Sequence, residues 1–179
     1  MNHLDVLDFW FKELEPKQWW VKDTNLDETI RSRFHNLHTQ AAVCELSDWR
    51  ETAKGRLAEI IILDQFSRNL YRDTPSAFAY DALALGLAQE AIRTGDDQAL
   101  EPIERSFLYM PFMHSESLTI HEQAIVLFTK NGIENNLDFE IKHKVIIERF
   151  GRYPHRNEIL GRTSTKEEIE FLKQPDSSF

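Results

Sequence analysis

Cysteine, glycine, proline and long apolar runs are scarce in this sequence, and each scarcity excludes something. Cys44 is the single cysteine among 179 residues, so neither an internal disulfide nor a cysteine-based metal site is available. The natural inference is a reducing, cytoplasmic compartment. Glycine and proline number six each, too few breakers for a loop-rich all-β fold. The longest apolar runs, IIIL at 60–63 and AIVLF at 124–128, fall far short of the ~20 residues that span a bilayer, so no membrane association is expected. The opening MNHLDVLDFW carries acids within its apolar stretch and no basic start, unlike a secretory signal. Phosphate-binding glycine loops, a Gly-x-Ser-x-Gly elbow and a His-Glu-x-x-His pair are missing too, so no cofactor and no metal set is assigned.

What is present describes a globular chain. Hydrophobic residues make up 41% and charged residues 28%, the balance of a folded domain. A chain of this size buries roughly two thirds of its unfolded surface, so it needs no staples. The net charge of −9 argues against nucleic acid as a partner. That charge is uneven. Residues 141–166 carry seven Lys/Arg against two Glu, a net of +5, which leaves −14 for the rest. Such a basic segment either pairs internally with the acids or binds an anion.

Nearly every segment has helical spacing. Leu4, Leu7, Phe11 and Leu14 form one stripe, started by Asn2 or His3 and stopped by Pro16. Leu26, Ile30, Phe34, Leu37, Ala41 and Cys44 form a second, with Thr24 as its N-cap. Ser47 is placed to cap a third through Leu57 and Ile61, and Thr74-Pro75 to open a fourth that Gly95 closes. Pro102 and Pro111 bracket a short helix. Two more follow, ended by Gly132 and Gly151, then a short turn of helix after Pro154 that ends at Gly161. Ser164 and Thr165 both offer capping boxes for a last helix. No segment alternates with period two. The expectation is an all-α fold of about 8–9 helices, antiparallel pairs in a compact array, with 1–173 as a single domain and 174–179 as a frayed tail.

Three stretches hold polar residues that helix formation alone does not explain. In LDQFSRNLYRDTP (63–75), Asp64 falls on the stripe of Ile60 and Ile61, where a carboxylate is costly unless paired. Arg68, four residues on, can pair with it and anchor a helix end; alternatively the carboxylate faces a pocket. In ERSFLYMPFMHSESL (104–118), Arg105, Tyr109, His114 and Glu116 crowd a proline break. His114 and Glu116 are two possible metal ligands, and two do not make a site. In HKVIIERFGRYPHRNEILGR (143–162), Arg149, Arg152, His155, Arg156, Asn157 and Arg162 lie among turns forced by Gly151, Pro154 and Gly161. Guanidinium groups grip carboxylate or phosphate with two parallel hydrogen bonds. They can equally neutralise Asp64, Asp81, Glu116 and helix-end carbonyls.

These strings, LDQFSRNLYRDTPSAFAYD, ERSFLYMPFMHSESL and RFGRYPHRNEILGRTSTKEE, together with the early FWF, WW and RF, resemble the bacterial family known as domain of unknown function 924. The resemblance covers nearly the whole chain, with three motifs in the right order. It implies an all-helical, tetratricopeptide-like array and no known reaction. The positions matching the family's polar residues are Asp64, Gln65, Arg68, Asn69, Arg105, Tyr109, His114, Ser115, Glu116, His143, Arg149, Arg152, His155, Arg156, Asn157 and Arg162. Ser67 stands where proline is frequent, Met113 where an acid is frequent, and Tyr153 where phenylalanine is usual.

Three functional readings follow. In the first, a pocket binds a small anionic molecule. Asp64, Gln65, Arg68, Asn69, Arg105, Tyr109, Arg149, Arg152, Arg156, Asn157 and Arg162 hold it, and His114, Glu116, His143 and His155 supply any acid–base chemistry. In the second, the array is an interaction module whose groove clamps the carboxylate of a peptide or protein partner, with Arg152 and Arg156 exposed along it. In the third, the motifs form a structural polar network.

Overall fold

The structure, a computed structural model, describes residues 1–179. It contains helices and turns with no strand. The α-helices are α1 (His3–Asp8), α2 (Thr24–Ala42), α3 (Ala53–Ile61), α4 (Ser67–Leu70), α5 (Asp81–Thr94), α6 (Pro102–Met113), α7 (Leu118–Asn131), α8 (Glu134–Phe150) and α9 (Lys166–Phe171). A π turn, Ile62–Phe66, joins α3 to α4 without a break, so these segments make eight rods. A second π turn, Phe9–Glu13, extends α1.

The rod made by α3, its π turn and α4 is the axis of the fold. Every residue from Leu57 to Ser67 is buried, the condition of a helix enclosed on all sides. It packs against α1, α2, α5 and α6, while α6, α7 and α8 stack in succession beyond it. Phe9, Trp10, Phe34, Phe66 and Phe107 interlock at the centre, with ring centroids 4.9–6.1 Å apart. Such aromatic contacts add to the burial of apolar area. A smaller cluster, Ile146, Ile147 and Tyr153, seats the later turns against α8 and Phe171.

Polar residues inside the axial rod all find partners. Arg50 holds Glu59 with two bonds of 2.7 Å. Ser67 donates to the Leu63 carbonyl at 2.6 Å and meets His38 Nε2 at 2.7 Å.

Several ends differ from the sequence reading. Asp23, not Thr24, caps α2, because its carboxylate accepts from Asn25 and Leu26. Thr52 caps α3 through Gly55 N–H, and Ser47 opens only a 3-10 turn. Thr74-Pro75 likewise begins a 3-10 turn, and α5 starts at Asp81. Pro111 lies within α6 rather than ending it; a proline one turn from a C-terminus removes one backbone donor and leaves the earlier turns intact. Gly95, Gly132 and Gly151 do close their helices with φ of +81°, +78° and +68°, the left-handed conformation that glycine adopts without strain. Thr165 and Glu168 form the capping box of α9. Beside α8, Ser177 is buried and the Phe179 ring stacks on His143 at 3.8 Å.

Candidate functional site

One end of the axial rod carries most of the chemistry. The π turn and α4 bring Asp64 and Arg68, the start of α5 brings Asp81, and the C-terminus of α6 brings His114. The turns at 151–162 close over them with Tyr153, His155, Arg156 and Arg162.

Asp64 is fully buried. Its Oδ1 lies 2.7 Å from His114 Nδ1, and its Oδ2 accepts from Gln65 Nε2 at 2.6 Å. Burial pushes the Asp64 carboxyl up, but His114 and Arg68 outweigh it and hold the group at about 2. Asp64 is therefore ionised at neutral pH. Burial, with Arg68 beside it, lowers His114, so the ring is neutral and Nδ1–H donates to the carboxylate. The opposite nitrogen, Nε2, carries the lone pair and makes no hydrogen bond to the protein. A histidine oriented by a buried acid can accept a proton at its far nitrogen.

Two guanidinium groups flank this pair. Arg68 donates to the Asp64 carbonyl at 2.7 Å and to both Asp81 oxygens at 2.9 and 3.1 Å. Arg156 donates to the His114 carbonyl at 3.0 Å and reaches Asp81 at 3.4 Å. Burial and the neighbouring Arg68 pull Arg156 below its ordinary value. Its Nε is buried without a partner, as is Nδ1 of His155. Unsatisfied buried polar atoms of this kind are rare in folded proteins.

Tyr153 is the hub of the closing turns. Its hydroxyl donates to the Met113 carbonyl at 2.5 Å and lies 3.1 Å from His121 Nε2. The rings of His143 and His155 stand 5.7 and 5.6 Å from it. Glu116 accepts the Tyr153 backbone N–H at 2.8 Å and binds Arg162 through both oxygens. Arg162 in turn fixes Asn157 at 2.9 Å. Behind Tyr153, His121 donates from Nε2 to the Ser115 carbonyl at 2.8 Å, and its Nδ1 shares a proton with Glu140 at 2.7 Å. Burial pushes the Glu140 carboxyl up. His143 donates from Nδ1 to the Phe139 carbonyl at 2.7 Å, and burial holds it at about 3.

Asp64, Gln65, Arg68, His114, Glu116, His143, His155, Arg156, Asn157 and Arg162 thus gather at or beside one end of the rod. Other expected ligand residues stand apart. Asn69 binds Asp27 at 2.8 Å. Arg149 pairs with Glu167 and Arg152 with Glu168 on α9. Arg105 donates to the carbonyls of Asp97 and Leu100, and Tyr109 to the Asp97 carboxylate, near the opposite end of α6. The sequence reading gave Asp81 only as a neutralising acid, and placed Tyr153, Asp97 and Asn131 in no site. Asp81 heads a helix, where an acid is ordinary, and nothing local marks it as the partner of two arginines. No group of three or more His, Cys, Asp or Glu has the arrangement of a metal site, and no helix is long and apolar enough to cross a membrane.

Comparison with known proteins agrees with this fold. No curated protein matches the chain. A solved structure of a protein of unknown function from Agrobacterium tumefaciens superposes with a TM-score of 0.91 at 42% identity, covering 96% of each chain. The profile of a bacterial protein family of unknown function, DUF924, matches residues 6–176. A match over that length of an all-helical chain means that the chain belongs to the DUF924 family.

Proposed function

We propose that this protein binds a small anionic molecule at the end of the axial rod and that His114 serves there as acid or base. The observation that carries the reading is the Asp64–His114 pair: a buried, ionised carboxylate on Nδ1 and an Nε2 that makes no protein hydrogen bond, flanked by Arg68 and Arg156. Asp64 and Asp81 balance the charges of Arg68 and Arg156, and an anion suits the Arg156 Nε–H, which is buried without a hydrogen-bond partner. The reading treats residues 1–173 as one folding unit in a reducing cytoplasm, which suits a single free cysteine.

The test is a thermal-shift screen of the protein with phosphate, nucleotides and small carboxylates. A ligand that binds only the native state raises the melting temperature, and more so as its concentration rises above Kd. Stabilisation that is lost in His114→Ala and Arg156→Lys supports the reading. A flat response to every anion overturns it.

A second reading draws on a different observation: each motif arginine already has an acid or carbonyl partner, as with Arg162 and Glu116. On this view the motifs lock helix ends together. Substituting Arg68 or Asp64 would then unfold the protein, and no ligand would be found. The peptide-clamp reading draws less support, because Arg156 is only 8% exposed and Arg152 is held by Glu168.

A further inference from the structure

The motif residues Arg105 and Tyr109 take no part in the site above. They line a separate cavity of about 260 Å³ between α5, α6 and α7, with Asp97, Gln98, Lys130 and Asn131, and with Ile92 and Leu127 as its apolar side. The volume lies just below the usual range for small-molecule sites, about 300–1,000 Å³. Nine residues separate Arg105 from His114, or about 14 Å along the α6 axis, so the two places are distinct.

Asp97 is the unusual member. It is 97% buried, yet no cationic side chain pairs with its carboxylate. Tyr109 Oη and Gln98 Nε2 donate to its Oδ2 at 2.6 and 2.7 Å, and Oδ1 has no protein hydrogen bond. A buried carboxylate without a cation is costly to maintain. Arg105 passes close by, but it spends its bonds on the Asp97 and Leu100 carbonyls and, at 3.4 Å, on Asn131 Oδ1. A guanidinium has five N–H groups, so two remain. Lys130 lines the same cavity and has no acidic partner.

We propose that this cavity binds a small zwitterion of the α-amino acid type. Asp97 Oδ1 receives the ammonium, Lys130 and the spare N–H groups of Arg105 receive the carboxylate, and the side chain rests on Ile92 and Leu127. A simple cation would meet Arg105 and Lys130, and a simple anion would meet Asp97. Only a ligand bearing both charges suits all three groups.

The experiment titrates the full chain with L-leucine, with 3-methylbutylamine, which lacks the carboxylate, and with 4-methylpentanoate, which lacks the ammonium. Binding is followed by the backbone amide signals of Gly95 and Asn131 and by thermal shift. Leucine is expected to move both signals and raise the melting temperature, and either half-molecule to do so at least tenfold more weakly. Asp97→Asn is expected to abolish binding. Because that change also disturbs Tyr109, the exposed Lys130→Ala is the decisive variant, with its fold intact and its affinity reduced roughly tenfold. His114→Ala is expected to bind leucine as the wild type does, which separates this site from the anion site. Leucine that leaves Gly95 and Asn131 unmoved, half-molecules that bind as well as leucine, or a Lys130→Ala protein of undiminished affinity would each overturn the proposal.

Discussion

Glu116 and Arg162, 46 residues apart in the chain, meet through two hydrogen bonds of 2.8 and 2.9 Å. This fork joins the turn after α6 to the turns after α8, and it holds the loop carrying His155 and Arg156 over the Asp64–His114 pair. Both side chains are about three-quarters buried, so the pair is more than a surface contact. A double-mutant cycle with Glu116→Ala and Arg162→Ala is expected to give a coupling energy of about 1–3 kcal/mol by urea denaturation. Additive losses would mean that the fork does not join the loops.

Asp64 favours the protonated form of His114, against burial and Arg68. Replacing Asp64 with Asn removes the only part of that balance supplied from Nδ1. The His114 pKa is therefore expected to fall further, measured by NMR titration of the ring proton Hε1. An unchanged or raised value would show that the carboxylate does not govern the ring.

Acid should destabilise the protein early. Burial holds His38 and His155 at about 4 and His143 at about 3, whereas an unfolded histidine titrates near ~6.5. Between those values the unfolded chain binds more protons, so stability falls as pH drops, with a slope approaching about 1.4 kcal/mol per unit for each ring. The Asp64 carboxyl, depressed to about 2, adds stability that is present above about 3.9, its unfolded value, and is lost as pH falls towards its folded one. Urea unfolding at about pH 7, 6 and 5 should show the decline beginning near the unfolded histidine value. His143→Gln should flatten it.

Two helical glycines should respond in opposite directions. A Cβ on Gly55 would stand 1.9 Å from the Trp49 carbonyl oxygen, whereas one on Gly86 would meet nothing within 4 Å. Gly55→Ala should therefore cost about 1–3 kcal/mol through overpacking. Gly86→Ala should gain about 0.5–1 kcal/mol from helix propensity. Thermal denaturation of the two variants reads the difference directly.

Much of the helical frame was legible in the sequence, because stripes and glycine stops are local signals. Gly95, Gly132 and Gly151 end helices where the pattern placed them. Caps were read less well: Thr24 and Ser47 looked suitable, but Asp23 and Thr52 sit where their oxygens reach free N–H groups. Pro111 misled for the same reason in reverse, since its effect depends on its distance from the helix end. The site was legible in its residue types and in part of its pairings, since Arg156 meets Asp81 and Arg162 meets Glu116 among the acids offered for neutralisation. Arg68 does stand 3.5 Å from the Asp64 carboxylate, as the four-residue spacing implied, but the shorter bonds run to other helices, from Asp64 to His114 and from Arg68 to Asp81. Helix crossings decide which partner each charge finds, and spacing along the chain does not record them. The departures Ser67 and Tyr153 each add a hydroxyl that touches a histidine, His38 and His121, a complementarity visible only in three dimensions.

The π turn at Ile62–Phe66 holds one residue more than an α turn would. A regular helix turns about 100° per residue, so a residue deleted from the regular turns of α3 would swing its apolar face away from its neighbours by that angle. A residue deleted from the π turn itself would instead restore a regular helix, with Leu57 and Ile61 still in step with Arg68 and Leu70. The wide turn is thus the place where the rod can change length by a single step and keep both faces in register.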